Sequence, residues 1–175
     1  FKWCVNEINV DILEFDLYLT KDDILVINHD SYINRTTDVE EITNSTDKYY
    51  IKDHNLSELN QFNFGYNFKQ GVVFPYRDIV SLDDPNRELV IRDNDLGIVT
   101  LAQVFEYAYY SNPELLFIIE IKDEGERGEK AAEIFYQTLL SYPNYLDNVV
   151  ASSFNKEVED YFKENYPDIY RGASV

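Results

Sequence analysis

Glu14 and Asp16 stand two residues apart in the stretch Val10-Asp-Ile-Leu-Glu-Phe-Asp-Leu-Tyr-Leu19. Leu13, Phe15, Leu17 and Leu19 alternate with Ile12, Glu14, Asp16 and Tyr18. Successive side chains of a strand point to opposite faces, so both carboxylates share a face. Carboxylates that close repel, and they persist with a cation between them or with a shared proton. A hard divalent ion with oxygen ligands resolves the conflict most simply. Phe117-Ile-Ile-Glu-Ile-Lys122 repeats the spacing with Glu120 and Lys122, two charges that are costly to bury without partners. A plain internal Glu120–Lys122 ion pair competes with a functional role there. His29, followed by Asp30, closes the apolar run Ile24-Leu-Val-Ile-Asn-His29. Imidazole titrates near neutrality and suits proton transfer, although a lone histidine is more often structural or exposed. His54 has no supporting pattern, and Arg35 with Thr36 and Thr37 reads either as a phosphate-facing cluster or as an ordinary loop.

The elements that must position these residues follow from periodicity. Phe1, Cys4, Val5 and Ile8 recur as in the end of a helix, and two strands follow, joined by the turn Lys21-Asp-Asp23. Residues 30–99 are polar and irregular, with one short helix expected from Leu56 to Gln61 capped by Asn55. A stretch so long with so little periodicity reads as an insertion, 30–99, within a single domain. Thr100 then opens a helix with Gln103 in capping-box position, and Leu115 to Lys122 reads as a strand covered on both sides. Helices over Arg127–Ser141 and Lys156–Tyr166 alternate with strands over Asn148–Phe154 and Ile169–Val175. This order predicts an α/β fold with parallel pairing. In such a sheet functional residues gather at the carboxyl ends of strands, where Glu14, Asp16, His29, Glu120 and Lys122 all fall.

Composition narrows the function. The chain has 175 residues, 45% hydrophobic and 27% charged, which suits one well-cored globular domain. One cysteine, Cys4, leaves no internal disulfide and no zinc framework. No apolar run approaches the roughly 18 residues that cross a bilayer. Asn34-Arg-Thr, Asn44-Ser-Thr and Asn55-Leu-Ser read as chance matches to the glycosylation pattern in an Asn-rich chain. A net charge of −18 argues against nucleic acid. It would also repel a phosphorylated substrate, unless cations or a metal reverse the field locally.

Taken in order, these segments resemble the glycerophosphodiester phosphodiesterase family. Glu14-Phe-Asp16-Leu-Tyr-Leu-Thr-Lys21-Asp is similar to its E-x-D-V-x-x-T-K-D stretch, and His29-Asp30 followed by Arg35-Thr-Thr37 to its H-D-x-x-x-x-R-T-T segment. Leu56-Ser-Glu-Leu59 matches the short helix that follows, and Gly97-Ile-Val-Thr-Leu101 resembles I-P-T-L with Val99 in place of Pro. Ile119-Glu-Ile-Lys122 is similar to N-I-E-I-K, and Ser152-Ser-Phe154 to the S-F strand end. The resemblance implies a (β/α)8 TIM-type barrel, about five strands of it supplied here, against a usual barrel length of roughly 250 residues. It implies metal ligands at Glu14, Asp16 and Glu120 for Mg2+ or Ca2+, an acid/base at His29, and phosphate contacts at Lys122 and Arg35. The family's H-R-G strand, which carries the other acid/base histidine, has no counterpart in the chain.

The expected function is metal-dependent hydrolysis of a glycerophosphodiester to an alcohol and sn-glycerol 3-phosphate. The domain is expected to be partial and truncated at both ends, so activity is assigned to the intact parent and none to this segment alone. A lysophospholipase D-like activity on lipids and a non-catalytic binding module on a degenerate barrel are the alternatives. Phe62-Asn-Phe-Gly-Tyr-Asn-Phe68 with Pro75-Tyr-Arg77 reads as a lip for an acyl chain or as the insertion's own small core. Membrane association is expected through segments outside the chain, and the location stays open between cytoplasmic and membrane-anchored or extracellular in a bacterium.

Overall fold

In the computed structural model, which describes residues 1–172, the alternating stretch forms strand β1, Ile12–Leu19. With β2 (Leu25–Ile27), β3 (Val99–Thr100), β4 (Leu116–Ile121), β5 (Val149–Ser152) and β6 (Tyr170–Arg171) it builds a sheet of order β3-β2-β1-β4-β5-β6. The pairs β1–β4, β4–β5 and β5–β6 are parallel, whereas β1–β2 and β2–β3 are antiparallel. The all-parallel expectation therefore fails at β2. The link from Leu19 to Leu25 is too short for a parallel crossover, which needs about a dozen residues or more. β3, two residues long, carries too little pattern to stand out in the sequence. Of the strand expected from Ile169 to Val175, only Tyr170–Arg171 is seen, and residues 173–175 lie outside the described residues.

The chain forms two compact units, one of Phe1–Leu19, Leu25–His29 and the chain from Val99 onward, the other of Thr20–Ile24 and Asp30–Ile98. In the first unit the odd-numbered side of the sheet is the core. Leu17, Leu19, Phe117, Ile119, Ile121, Val149 and Ala151 are buried there. Helices α4 (Leu101–Ser111), α5 (Gly125–Leu140) and α6 (Lys156–Asn165) supply Val104, Phe105, Phe135, Leu139, Val158 and Phe162 at helical spacing. Thr100 caps α4 as expected: its Oγ1 accepts from Gln103 N–H at 3.2 Å and its own N–H donates to Gln103 Oε1 at 2.9 Å. The even-numbered side is open, with Ile12, Leu116 and Ile118 more than a third exposed. Among the described residues β4 is thus covered on one face.

The second unit holds the expected short helix at Leu56, here α2 (Leu56–Leu59) with Asn55 as its cap, and two that the sequence did not show, α1 (Val39–Thr43) and α3 (Arg87–Asp93). Its organiser is a buried ion pair between Asp38 and Arg87. Asp38 Oδ1 also accepts from Asn63 N–H at 3.0 Å, and Arg87 donates from Nε to Gln61 O and from Nη1 to Ser81 O, both at 2.9 Å. Asn63 Nδ2 reaches Tyr76 O at 2.7 Å, and its Oδ1 accepts from Gly65 N–H at 2.8 Å. Burial pushes the Asp38 carboxyl up against the lowering effects of Asn63 N–H and Arg87. Such bonds tie separate loops together without any repeating pattern.

Two substitutions test this packing. A Cβ at Gly128, in α5, would lie 2.5 Å from both Asp123 O and Val158 Cγ2, so Gly128→Ala is expected to cost about 1–3 kcal/mol in urea unfolding. Arg87→Ala leaves Asp38 buried without its cation, and a loss of roughly 3–5 kcal/mol is expected, read as lost amide-exchange protection at Asn63.

Candidate functional site

Parallel register sets Asp16 on β1 directly beside Glu120 on β4, and Glu120 beside Ser152 on β5. Neighbouring strands lie about 4.8 Å apart, so the two carboxylates share one patch of the open face. Lys122, just past β4, is fixed by its N–H bond to Leu17 O at 3.0 Å. Its Nζ donates to Glu120 Oε2 at 2.8 Å and lies 3.3 Å from Asp16 Oδ1. One ammonium therefore bridges acids from two strands, and the ion-pair reading of Glu120 and Lys122 holds with Asp16 as a third member. The exposed Phe154 ring lies 5.5 Å from the same Nζ.

Desolvation works to lower the Lys122 pKa, but the Glu120 hydrogen bond and the charges of Asp16 and Glu120 outweigh it and hold the group raised. A folded pKa above the unfolded one gives stability that is complete below the ordinary lysine value of 10.5. That stability disappears as pH climbs through the raised folded value.

His29 follows β2, whose direction the sequence hid. Because β2 runs antiparallel to β1, the chain beyond it returns alongside β1 instead of ending at a parallel carboxyl edge. Asn28 N–H donates to Asp16 O at 3.1 Å, and His29 follows, exposed. Glu14 is exposed on the same face, two residues before Asp16. Arg35 belongs to the other unit, where its Nε pairs with Asp30 Oδ2 at 2.5 Å.

Two supporting residues escaped the sequence reading. Asp123 is buried, accepts from Leu19 N–H at 2.6 Å and from Arg127 Nε at 3.0 Å, while the Arg127 guanidinium also donates to Leu19 O. This clamp ties the end of β1 to the start of α5. Its one sequence signal is the Asp-x-x-x-Arg spacing next to Lys122. Ser153 Oγ donates to Ile121 O at 2.7 Å, and Ser153 N–H donates to Glu159 Oε1 at 2.7 Å, joining β4, β5 and α6.

Among the described residues no three His, Cys, Asp or Glu side chains are gathered closely enough to hold a metal. Asp16 and Glu120 are engaged by Lys122. The donor set nevertheless fits a hard cation in kind: three carboxylates on one open face, two of them in register. Lys122→Met is expected to leave Asp16 and Glu120 side by side without a cation. A loss of about 1–3 kcal/mol at neutral pH should result. In urea unfolding the gap between variant and native should narrow above the ordinary lysine pKa, following the sign given above.

The family model described as Glycerophosphoryl diester phosphodiesterase family matches residues 6–172. Among solved structures, a candidate glycerophosphoryl diester phosphodiesterase from Silicibacter pomeroyi DSS-3 aligns with a TM-score of 0.70 at 16% identity, over 94% of this chain and 55% of that one. An Oleispira antarctica phosphodiesterase in complex with the product sn-glycerol-3-phosphate aligns with a TM-score of 0.65 at 22% identity, covering 95% and 55%. A glycerophosphodiester phosphodiesterase from Parabacteroides distasonis gives 0.61 at 21% identity, covering 94% and 52%. The chain spans about half the length of these structures, and at such identities the likeness is one of fold, an α/β sheet of the TIM-barrel type with its helices. With the family model matched over nearly its whole length, the chain belongs to the glycerophosphoryl diester phosphodiesterase family.

Proposed function

We propose that the intact protein hydrolyses a glycerophosphodiester to an alcohol and sn-glycerol 3-phosphate at the face carrying Glu14, Asp16, His29, Glu120 and Lys122. The observation that carries this reading is the Asp16–Glu120 register bridged by Lys122. It places a fixed positive charge among carboxylates in a chain of net charge −18. Glu14, Asp16 and Glu120 would hold a divalent ion, Mg2+ or Ca2+, whose charge would polarise the phosphate and offset its anion. Lys122, kept as ammonium, binds a phosphate oxygen and limits the repulsion between phosphate and protein. His29 hands a proton to the leaving alkoxide or takes one from the attacking hydroxyl, the usual task of an exposed imidazole near a reacting oxygen. Arg35 is engaged by Asp30, so its part is secondary.

Lysophospholipid substrates are the second reading. One feature favours it: the aromatic stretch divides, with Phe62 buried while Phe68 and Tyr76 stay exposed and pack on each other at 5.6 Å.

The test is release of glycerol 3-phosphate by the full-length protein after chelator treatment, with Mg2+ or Ca2+ restored. Turnover should return with the ion, His29→Ala should lose about 10²–10⁴-fold in kcat, and Glu14→Ala should lose its response to metal. Turnover indifferent to chelator and to Glu14→Ala would remove the metal from the proposal. A folded protein inactive on every glycerophosphodiester would remove the diester substrate.

A further inference from the structure

Asp and Glu account for 33 of the 175 residues, yet none occurs from Leu59 to Arg77. The only charged residues there are Lys69 and Arg77, set among Phe62, Phe64, Tyr66, Phe68, Phe74 and Tyr76. A tight hairpin sits in its second half. Gln70 N–H donates to Val73 O at 2.9 Å and Val73 N–H to Gln70 O at 3.1 Å, with Gly71 at φ +64°. Glycine enters that left-handed conformation without steric cost. The turn carries Val72 to its tip, 88% exposed, with Val73 at 59%, Phe68 at 52% and Tyr76 at 39%.

Turn geometry explains Gly71 but not its neighbours. Tight turns favour Asn, Asp, Gly and Ser, which satisfy local hydrogen bonds. Two β-branched aliphatic side chains at the tip instead add apolar surface in contact with water. Behind them the side chains are ordered by polarity. Phe68 and Tyr76 meet at 5.6 Å and form an aromatic shoulder. The Arg77 guanidinium lies 3.7 Å from the Phe74 ring centre and 4.8 Å from that of Tyr66, and the Lys69 ammonium 5.8 Å from Phe74. Among the described residues neither cation is paired with a carboxylate. Arg77 Nε is buried without a hydrogen-bond partner, and Nη2 donates to Asn67 Oδ1 at 3.4 Å.

Aliphatic tip, aromatic shoulder and cations held on ring faces match the layers of a lipid surface: hydrocarbon, interface and phosphate. We propose that Phe68–Arg77 is a docking hairpin that inserts Val72 and Val73 into a zwitterionic phospholipid surface. Shape argues for lipid over protein. A projecting two-residue tip is far below the roughly 800 Å² per partner of a stable protein interface, but a fluid bilayer closes around it. Charge argues for a zwitterionic surface. A chain at −18 is repelled by an anionic surface once it comes within the Debye length of about 8 Å, whereas a zwitterionic one adds no net repulsion and offers its headgroup phosphates to Lys69 and Arg77 at contact. The inference stands without the catalytic reading, since it rests on residues of the second unit alone.

The experiment is co-sedimentation of the full-length protein with phosphatidylcholine vesicles, beside Val72→Asp/Val73→Asp. Both side chains project into solvent, so the variant should keep the native circular dichroism spectrum. Binding by the native protein and a loss of roughly tenfold or more in the variant are expected. A Val72→Trp variant should show, as the difference from native emission, a tip tryptophan that shifts to the blue on vesicles and is quenched by brominated phosphatidylcholine. Equal partitioning of variant and native protein, or an unshifted tip tryptophan, would overturn the proposal. So would a native protein that ignores vesicles and dimerises through the hairpin. Turnover of a soluble glycerophosphodiester should be the same in both proteins, which separates failure of docking from failure of catalysis.

Discussion

Backbone hydrogen bonds between β1 and β4 force Asp16 and Glu120 into the same few ångströms, and everything about this face answers that constraint. The register cannot slip by one residue without turning Leu17 and Ile121 out of the core. Repulsion between the acids is therefore not relieved by moving the strands, and a cation has to come to them. Lys122 comes from the same strand as Glu120, two residues on, so its ammonium is available as soon as the sheet forms. The carboxylates keep their place because the core behind them holds the register and the lysine in front of them offsets the charge.

That core is reinforced where strands give way to loops. Asp123 stands next to Lys122 on the opposite side, and its carboxylate takes the Leu19 N–H beyond which β1 has no ladder partner on β4. Arg127 closes the arrangement by bonding both Asp123 and Leu19 O. Gly128 is the steric counterpart: α5 approaches the Asp123 backbone so closely that no side chain fits. Adjacent residues thus do opposite jobs, Lys122 facing the open patch and Asp123 locking the strand ends that position it.

What could be read from the sequence tracks the physics of each segment. Alternation at Ile12–Leu19 placed Glu14 and Asp16 on one face because period two leaves no other choice. The Thr100–Gln103 cap was legible because its two hydrogen bonds depend on residues three apart. The direction of β2 was hidden, since an apolar run carries no polarity and only the length of its turn speaks. Cover of β4 is seen on one side only: Leu116 and Ile118 are as apolar as Phe117 and Ile119, yet no helix packs on their side among the described residues. In the second unit Asp38, Asn63 and Arg87 meet across long stretches of chain. A network of single side chains bonding distant backbone has no period to detect.

The strong acidity of the chain is offset in two different ways, and each implies a different kind of ligand. On the open face Lys122 bridges two carboxylates, Asp16 and Glu120, which lowers their repulsion but leaves the group net negative. The remaining negative charge is what the proposed divalent ion would answer, at the same oxygens that the ammonium holds. Between Leu59 and Arg77 the carboxylates are simply left out, and the two cations rest on aromatic rings instead of acids. A cation on a ring keeps its charge available to a partner, whereas a cation in an ion pair does not. Such a surface gains most from a partner that offers phosphate and hydrocarbon together. A phospholipid headgroup region supplies both within the reach of one hairpin.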